Sequence, residues 1–308
     1  MSTDTGPVVV AVDGTHRSAG AIRYAVEESR RRGTGLAVVH VSPACAPMTP
    51  MLPMLPVIDT MPALVEAESR TLLSGICERV SVDAPDVAVE AVLLRGSRSA
   101  AIVQAAETAP LLVLGRETRR GLERLSTGAT TAKVAAHAAC PVAVVPADWR
   151  AGPTRHRLVV GVRSSSQAPG LVAQAFELAA ARHDALLVLH AWRLPDPYAD
   201  RLEERTNLDV WLEEGERLLE EVLAEWRQEY PDVPVETRVV HLDPVAALVD
   251  ASRDADLLLL ARHPHGPRHL GGTARAVLSH AVGPVLVLPA HRELVLDLAL
   301  EESGRLVR

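Results

Sequence analysis

Short apolar runs alternate along the chain with longer segments in which apolar residues recur at helical spacing. In the first half, the apolar runs cover residues 8–12, 36–41, 87–94, 111–115 and 142–145. The helical segments between them cover 18–32, about 62–80, 98–108 and 129–138. Apolar runs without polar alternation are typical of parallel strands that are buried on both faces. The pattern therefore predicts an α/β fold, a doubly wound unit with a five-stranded parallel sheet flanked by helices.

The second half of the chain repeats this pattern. The run at 8–12 precedes Asp13-Gly14-Thr15, and a similar run at 158–162 precedes Arg163-Ser164-Ser165. The segment 140–146 recurs in the same way as 283–289. Such self-similarity predicts two copies of one structural unit. We therefore predict two tandem domains at 1–146 and 158–290, a linker at 147–157 and a C-terminal tail at 291–308.

Two segments depart from the repeat, and one of them carries charge. Residues 43–62 contain six prolines and four of the five methionines, which predicts an irregular loop. Residues 200–229 of the second copy form an acidic helical stretch instead. Residues 1–150 hold 15 basic and 15 acidic side chains, which leaves 17 and 24 from residue 151 onward. The whole net charge of -7 therefore belongs to the second half.

Composition excludes several classes of protein. Acidic net charge and 3% aromatic residues argue against nucleic-acid binding, which needs clustered cations and stacking platforms. No apolar run reaches the roughly 18 residues of a membrane span, and the first residues do not form an export signal. Cys45, Cys77 and Cys140 are too widely spaced for a disulfide framework or a CxxC metal site. We therefore expect a cytoplasmic protein that binds neither membrane nor nucleic acid.

Glycines flank the segment that joins the fourth apolar run of the first copy to its last helix. Gly115 leaves the predicted strand, and Gly128 opens the helix. Backbone amides near such glycines can approach a ligand closely, and the helix N-terminus favours a negative charge. Arg116 and Thr130 would add a cation and a hydroxyl. The segment can thus hold phosphates, although glycine-flanked loops are also common turns.

Asp13 follows the first predicted strand, at the edge of the sheet where ligands of this fold class bind. A carboxylate at this place can accept hydrogen bonds from ribose hydroxyls or from an adenine amine. It can equally cap the helix that begins near Ser18. The residues alone leave both interpretations open.

Taken together, these motifs resemble those of the universal stress protein family over nearly the whole chain. The family opens with a strand and Asp-Gly-Ser, and it ends with Gly-x2-Gly-x9-Gly-Ser/Thr followed by a His-x2-Cys-Pro-Val strand. Asp13-Gly14-Thr15 and the segment 137–142 fit the two ends. Gly115 and Gly128 fit the outer glycines, whereas Thr118 replaces the middle glycine and Ala129 replaces the Ser/Thr.

The resemblance implies an adenine nucleotide alpha hydrolase-like fold and an ATP site in the first copy only. Carried over to this sequence, the nucleotide contacts are Asp13, Gly14, Thr15, Val41, Gly115, Arg116, Gly128, Ala129 and Thr130. In the second copy Arg163 stands in place of Asp13 and Ala261 in place of Gly115. Arginine cannot accept hydrogen bonds from adenosine. We therefore expect no ATP bound there in the family's manner.

Other chemistry finds little support in the sequence. Three histidines at 263, 265 and 269 suggest a metal-binding loop, but no carboxylate or thiolate accompanies them. Methionines at 48, 51 and 54 suggest Cu(I) ligands, but prolines alternate with them, which favours an extended segment. No metal is predicted. Catalytic motifs such as GxSxG, HExxH and the P-loop are absent from the sequence, whose one lysine is Lys133.

The resemblance therefore predicts a non-enzymatic stress-response factor. The strands at 142–145 and 285–288 would pair the two halves as an internal pseudo-dimer, and tandem chains would form homodimers. Two alternatives stay open, namely a scaffold for other proteins that needs no nucleotide, and slow ATP hydrolysis assisted by Arg116 or Arg120.

Overall fold

The structure, a computed structural model, describes residues 6–43, 61–116, 128–163, 168–262 and 270–289. It divides into two compact units, 1–152 and 153–308. Four of the sequence features discussed above lie outside the described residues: most of the Met/Pro segment, most of the segment between Gly115 and Gly128, the histidine loop, and the C-terminal tail at 291–308.

Unit 1 is a parallel sheet with strand order β3-β2-β1-β4-β5 and helices in the connections. Its strands are β1 (Val8–Val12), β2 (Leu36–Ser42), β3 (Val89–Arg95), β4 (Leu112–Arg116) and β5 (Val142–Pro146). Its helices are a 3-10 turn at His16–Ser18, α1 (Ala19–Arg32), α2 (Met61–Asp83), α3 (Arg98–Ala105) and α4 (Gly128–His137). The predicted doubly wound fold is confirmed.

Unit 2 has the equivalent order β8-β7-β6-β9-β10, when its strands are taken in the same direction as those of unit 1. Its strands are β6 (Arg157–Gly161), β7 (Ala185–Trp192), β8 (Val235–His241), β9 (Leu257–Ala261) and β10 (Val285–Leu288). Its helices are α5 (Ala168–Arg182), α6 (Pro197–Thr206), α7 (Leu208–Glu229), α8 (Pro244–Ala251) and α9 (Gly272–His280). The pairing of the two halves through their last strands stays a prediction.

Buried aliphatic residues on the central strands form the core of each unit. Val8, Val10 and Val38 in unit 1 are fully buried, as are Leu158 and Val160 in unit 2. A histidine at the end of the second strand repeats as well. His40 Nδ1 lies 2.9 Å from the Val12 carbonyl oxygen, and His190 Nδ1 lies 3.0 Å from the Val162 carbonyl oxygen. The sequence repeat is therefore also a repeat of local hydrogen bonding.

The acidic stretch of unit 2 forms two helices rather than one. Asn207 separates α6 from α7 with φ -134° and ψ 13°, outside the helical region. Asp196 caps α6 by accepting hydrogen bonds from the Tyr198 and Ala199 amides at 2.7 and 3.0 Å. A capping aspartate followed by proline at the first helical position is a strong helix start, which explains why α6 begins at Pro197.

Asp200 attaches α6 to the ends of β7 and β8. Its side chain is 2% exposed, and its carboxylate accepts hydrogen bonds from Arg193 Nε at 2.9 Å, from the Leu194 amide at 2.8 Å and from His241 Nε2 at 2.8 Å. The His241 hydrogen bond, opposed by burial and assisted by Leu194 and Arg193, lowers the pKa of Asp200 to about 2. The ionised carboxylate is therefore the form that holds α6 in place.

This pKa predicts that Asp200 stabilises the fold in a pH-dependent way. Because its pKa is lower in the folded state, the contribution is complete above about pH 4 and is lost as the pH falls toward about 2. We expect Asp200→Asn to unfold at a lower urea concentration than the wild type. The difference between the two midpoints should narrow as urea titrations are carried from neutral pH into this acidic range.

Asp196→Asn is the matched control for this experiment. Asp196 is the exposed N-cap of the same helix, and asparagine keeps a capping oxygen, so the urea midpoint of Asp196→Asn should stay close to that of the wild type. A difference between the wild type and Asp200→Asn that is constant over the acidic range would contradict the assignment.

Among the described helices, none combines the length and the apolar composition needed to cross a membrane.

Candidate functional site

A cavity of about 260 Å³ lies at the carboxyl ends of β1, β2 and β4 in unit 1. The chain continues from β1 to β2 on one side, whereas β4 pairs with β1 on the other side. This is the point where the strand order reverses, and ligands of open α/β sheets bind at such points. The cavity therefore lies where the fold class predicts a site.

Asp13 lies at this cavity immediately after β1. Its Oδ1 accepts hydrogen bonds from the Thr15 amide at 2.9 Å, the Thr15 hydroxyl at 2.7 Å and the Ser18 hydroxyl at 3.0 Å. Among the described residues, none donates to Oδ2. Burial raises the pKa of Asp13, but these hydrogen bonds and the Arg17 charge together lower it below its usual value. Asp13 is thus an ionised acceptor with one oxygen available for a ligand.

Two glycines give the turn after β1 its position. Gly14 has φ +78°, in the left-handed region that L side chains rarely adopt. Gly115 at the end of β4 lies directly under the 3-10 turn, since a Cβ there would be 2.3 Å from the Arg17 carbonyl oxygen. Gly115 therefore allows two backbone segments to approach closely, which is a packing role in addition to the predicted approach of a phosphate.

Cations and hydroxyls line the rest of the cavity. Arg17 comes from the turn, Arg98 is the first residue of α3, and Thr130 and Thr131 lie in the first turn of α4. His40 contributes from β2, where its Nδ1 is hydrogen bonded to a backbone carbonyl. The cavity therefore has an anionic acceptor, two guanidinium groups and hydroxyl donors at one sheet edge.

The structure places the predicted contacts in three groups. Those that line the cavity are Asp13, Val41, Gly115 and Thr130. Those that shape the adjoining turn are Gly14 and Thr15, whose hydroxyl accepts from the Arg17 amide at 3.2 Å. The others flank the cavity: Arg116 ends β4, Gly128 begins α4, and Ala129 is exposed beside it.

Sequence reasoning missed several lining residues, among them Arg17, His40, Arg98 and Thr131. A usable signal existed for Arg98. It begins a helix directly after β3, and the helices that follow parallel strands all begin at the same sheet edge. The glycine motif indicates only the end of β4.

The comparisons with known proteins identify the family. A sequence profile described as "Universal stress protein family" matches residues 5–146 and 154–289. The chain belongs to the universal stress protein family. A universal stress protein of Mycobacterium tuberculosis (strain H37Rv) is 32% identical over 291 residues, which cover 91% of this chain and 96% of that relative. Another from the same strain is 30% identical over 301 residues, covering 91% and 94%.

Solved structures support the fold assignment of this universal stress protein. A universal stress protein from Archaeoglobus fulgidus superposes with a TM-score of 0.65 at 16% identity, covering 94% of this chain and 98% of that one. A putative universal stress protein from Pseudomonas aeruginosa superposes with a TM-score of 0.54 at 14% identity, covering 98% of each chain.

The two copies of this universal stress protein differ in their sites. Unit 2 also has a cavity at its strand ends, of about 160 Å³, but Arg163 and Ala261 line it where Asp13 and Gly115 line the cavity of unit 1. The exchange of an acid for a base reverses the charge beside the first strand.

The described part of the chain contains no cluster of three or more His, Cys, Asp or Glu side chains that could hold a metal ion.

Proposed function

We propose that this universal stress protein is a cytoplasmic, non-enzymatic stress-response regulator. Its unit 1 binds an adenine nucleotide, and ATP is the first candidate. Unit 2 does not bind ATP in the same way. The observation that carries the proposal is the ionised Asp13 at the cavity, with Oδ1 held by the turn and Oδ2 available to a ligand.

Asp13 suits the nucleoside end of such a ligand. A ribose carries two neighbouring hydroxyls, and an ionised carboxylate accepts hydrogen bonds without competing as a donor. Because the pKa of Asp13 is lowered, the carboxylate keeps this character throughout the neutral range. Val39, Val41 and Ile102 supply apolar surface in the same cavity, against which a base can pack.

Arg17, Arg98, Thr130 and Thr131 suit the phosphate end. Guanidinium groups bind phosphate oxygens with two hydrogen bonds each, and hydroxyls at the start of α4 lie where the helix dipole favours an anion. The described residues thus offer both halves of a nucleotide site within one cavity.

The proposal includes no catalytic step. Of the described side chains that line the cavity, His40 is the candidate general base, because Nδ1–H donates to the Val12 carbonyl oxygen and leaves Nε2 as the unprotonated nitrogen. The residue is only 8% exposed, and its hydrogen bond joins β2 to the end of β1, so the proposal gives His40 a structural role. We also propose that two copies of the full-length chain form a homodimer.

Calorimetric titration of ATP into the full-length protein tests the proposal. We expect one ATP per chain, and we expect Asp13→Ala to weaken binding about tenfold to a hundredfold, because a hydrogen bond to a charged group contributes about 1.5–3 kcal/mol. Asp13→Asn should give an intermediate loss, since the amide keeps one acceptor oxygen but no charge.

Arg163→Gln is the matched control, because it changes the equivalent position of unit 2 and should leave ATP affinity unaltered. Thermal unfolding of each variant without ligand shows whether the turn still folds. A wild type that binds no adenine nucleotide would favour the scaffold alternative. Full affinity in Asp13→Ala would show that ATP binds elsewhere.

A further inference from the structure

Four large apolar side chains are exposed around the junction between α6 and α7. Tyr198 and Leu202 are four residues apart on α6, so they lie on the same face of that helix. Val210 and Trp211 lie in the first turn of α7, and Trp211 Nε1 donates to Glu203, the neighbour of Leu202. The four side chains, which we call the junction patch, are between 41% and 80% exposed. Exposed apolar side chains that are grouped in this way are typical of an interaction site.

The junction patch is fixed to the rest of unit 2. The ring of Trp211 lies 5.2 Å from the ring of Trp192 on β7, measured between centroids. Its hydrogen bond to Glu203 connects α7 to α6, and Asp200 attaches α6 to the ends of β7 and β8. Because these contacts already order the surface, a partner that binds there loses little affinity to the ordering of side chains.

The surface beside the junction patch is acidic. Helix α7 carries eight acidic and two basic side chains, a net charge of -6 in a chain whose net charge is -7. Both of its arginines pair with glutamates of the same helix. Asp209 and Glu213, which flank Val210 and Trp211 in the sequence, are exposed and have no ion pair within the described part of the chain. The negative charge of α7 is therefore available to a cationic partner.

This charge decides between possible occupants of the junction patch. An anionic lipid surface or a nucleic acid would be repelled by α7. A second copy of the chain would bring the same negative helix to the interface, and like charges that face each other disfavour association. A protein segment with basic residues beside an apolar face complements both the patch and the charge.

We propose that the junction patch and the acidic side of α7 form a docking surface for a partner protein, which contributes a cationic amphipathic helix. The apolar face of that helix contacts Tyr198, Leu202 and Trp211, and its lysines or arginines face Asp209 and Glu213. Exposed helices pack against another helix by interlocking their side-chain ridges, and apolar anchors at helical spacing determine the fit. This surface lies outside the nucleotide cavity of unit 1 and does not depend on it.

Binding of synthetic peptides to the full-length protein tests the proposal. The probe is an amphipathic helical peptide of leucine and lysine, about 18 residues or five turns long. One control peptide has glutamate in place of every lysine, and the other has the same composition in an order without an apolar face. In fluorescence anisotropy we expect one Leu/Lys peptide per chain. We expect it to bind at least about tenfold tighter than either control, because it alone combines apolar contacts with several ion pairs.

Leu202→Ser tests the apolar contact, and Val282→Ser is its matched control. Both side chains are 51% exposed. Val282 precedes β10 and so lies at the amino edge of the sheet of unit 2, whereas α6 follows β7 at the carboxyl edge. Leu202→Ser should weaken binding of the Leu/Lys peptide about fivefold or more, and Val282→Ser should leave it unchanged. Thermal unfolding without peptide shows that each variant is folded.

Glu213→Lys tests the charge, and Asp254→Lys is its matched control. Both acids are exposed and both substitutions change the net charge equally, but Asp254 precedes β9 at the amino edge of the sheet. We expect Glu213→Lys to weaken binding about fivefold at low salt and the difference to shrink as salt is added. Asp254→Lys should bind nearly as the wild type does.

Fluorine NMR of fluorotryptophan-labelled protein locates the peptide. The Trp211 signal should shift on binding, whereas the Trp149 signal of unit 1 should not. No binding, equal binding of the three peptides, an unchanged Trp211 signal or full affinity in Leu202→Ser would overturn the proposal. Dissociation of a dimer in Leu202→Ser would overturn it in favour of a second copy, and binding of anionic vesicles through the patch in favour of a membrane.

The same measurements separate this proposal from the proposed function. Asp13→Asn, which lowers ATP affinity in unit 1, should bind the Leu/Lys peptide as the wild type does. Leu202→Ser should in turn keep the ATP affinity of the wild type. Failure of ATP binding therefore leaves the docking surface standing, and failure of peptide binding leaves the nucleotide site standing.

Discussion

Replacing Gly115 with alanine should destabilise unit 1 and weaken nucleotide binding together. The new Cβ would lie 2.3 Å from the Arg17 carbonyl oxygen and 3.2 Å from the Ser18 Cα, and backbone atoms cannot move aside as a flexible side chain can. We expect a loss of about 1–3 kcal/mol in the free energy of unfolding, as for other overpacked sites. Displacement of the turn also moves Ser18 away from Asp13, so ATP affinity should fall at least about tenfold.

Urea titration followed by fluorine NMR of fluorotryptophan-labelled protein measures this effect. Trp149 is the one tryptophan of residues 1–152, and its ring lies 5.2 Å from that of Tyr24 on α1, so it reports on unit 1. Ala261→Gly is the matched control in unit 2, because that position already accommodates a Cβ. It should cost no more than about 1 kcal/mol, the entropic effect of glycine in a strand. If Gly115→Ala kept the stability and the ATP affinity of the wild type, the turn would be able to accommodate the added Cβ without cost.

The strands could be predicted closely because their signal is local. A parallel strand covered on both faces needs a continuous apolar run, and residues such as Leu36, Val38 and Leu112 are buried where those runs predicted. Because the sequence repeats, the strands predicted for the first copy also predict those of the second. Helix ends were harder, as α3 ends at Ala105 rather than at residue 108.

The site could be predicted only in part because its residues come from distant parts of the chain. Asp13 and Gly115 belong to recognisable motifs, and both line the cavity. Arg98 has no motif around it, and it reaches the same cavity because α3 begins at the edge where β1 and β4 end. The packing role of Gly115 also depended on contact with the Arg17 backbone, which no spacing reveals.

The break between α6 and α7 shows a similar limit. Helical periodicity continues through residues 200–229 in the sequence, but Asn207 leaves the helical region and its side chain donates to Glu203 Oε2 at 2.7 Å. Trp211 Nε1 donates to the same oxygen at 3.0 Å. Tertiary contacts of α6 with β7 and β8 set its direction, and a periodicity pattern carries no information about them.

Phe176→Ala is expected to give the largest loss of stability in unit 2. Phe176 on α5 is fully buried, and its ring lies 6.5 Å from that of Trp226 and 5.8 Å from that of Tyr230, measured between centroids. Both partners lie at the C-terminal end of α7, so this aromatic cluster attaches α7 to α5. Truncation removes the buried ring and leaves a cavity, which costs about 3–5 kcal/mol.

Chemical denaturation with the Trp226 fluorine signal measures that loss directly. Tyr198→Ala provides the control, because Tyr198 is an aromatic residue on α6 that is 80% exposed and should change stability by no more than about 0.5 kcal/mol. A loss in Phe176→Ala as small as that of Tyr198→Ala would mean that α7 does not depend on this cluster. The acidic helix that distinguishes unit 2 from unit 1 would then be attached mainly through its own buried side chains Leu219 and Leu223.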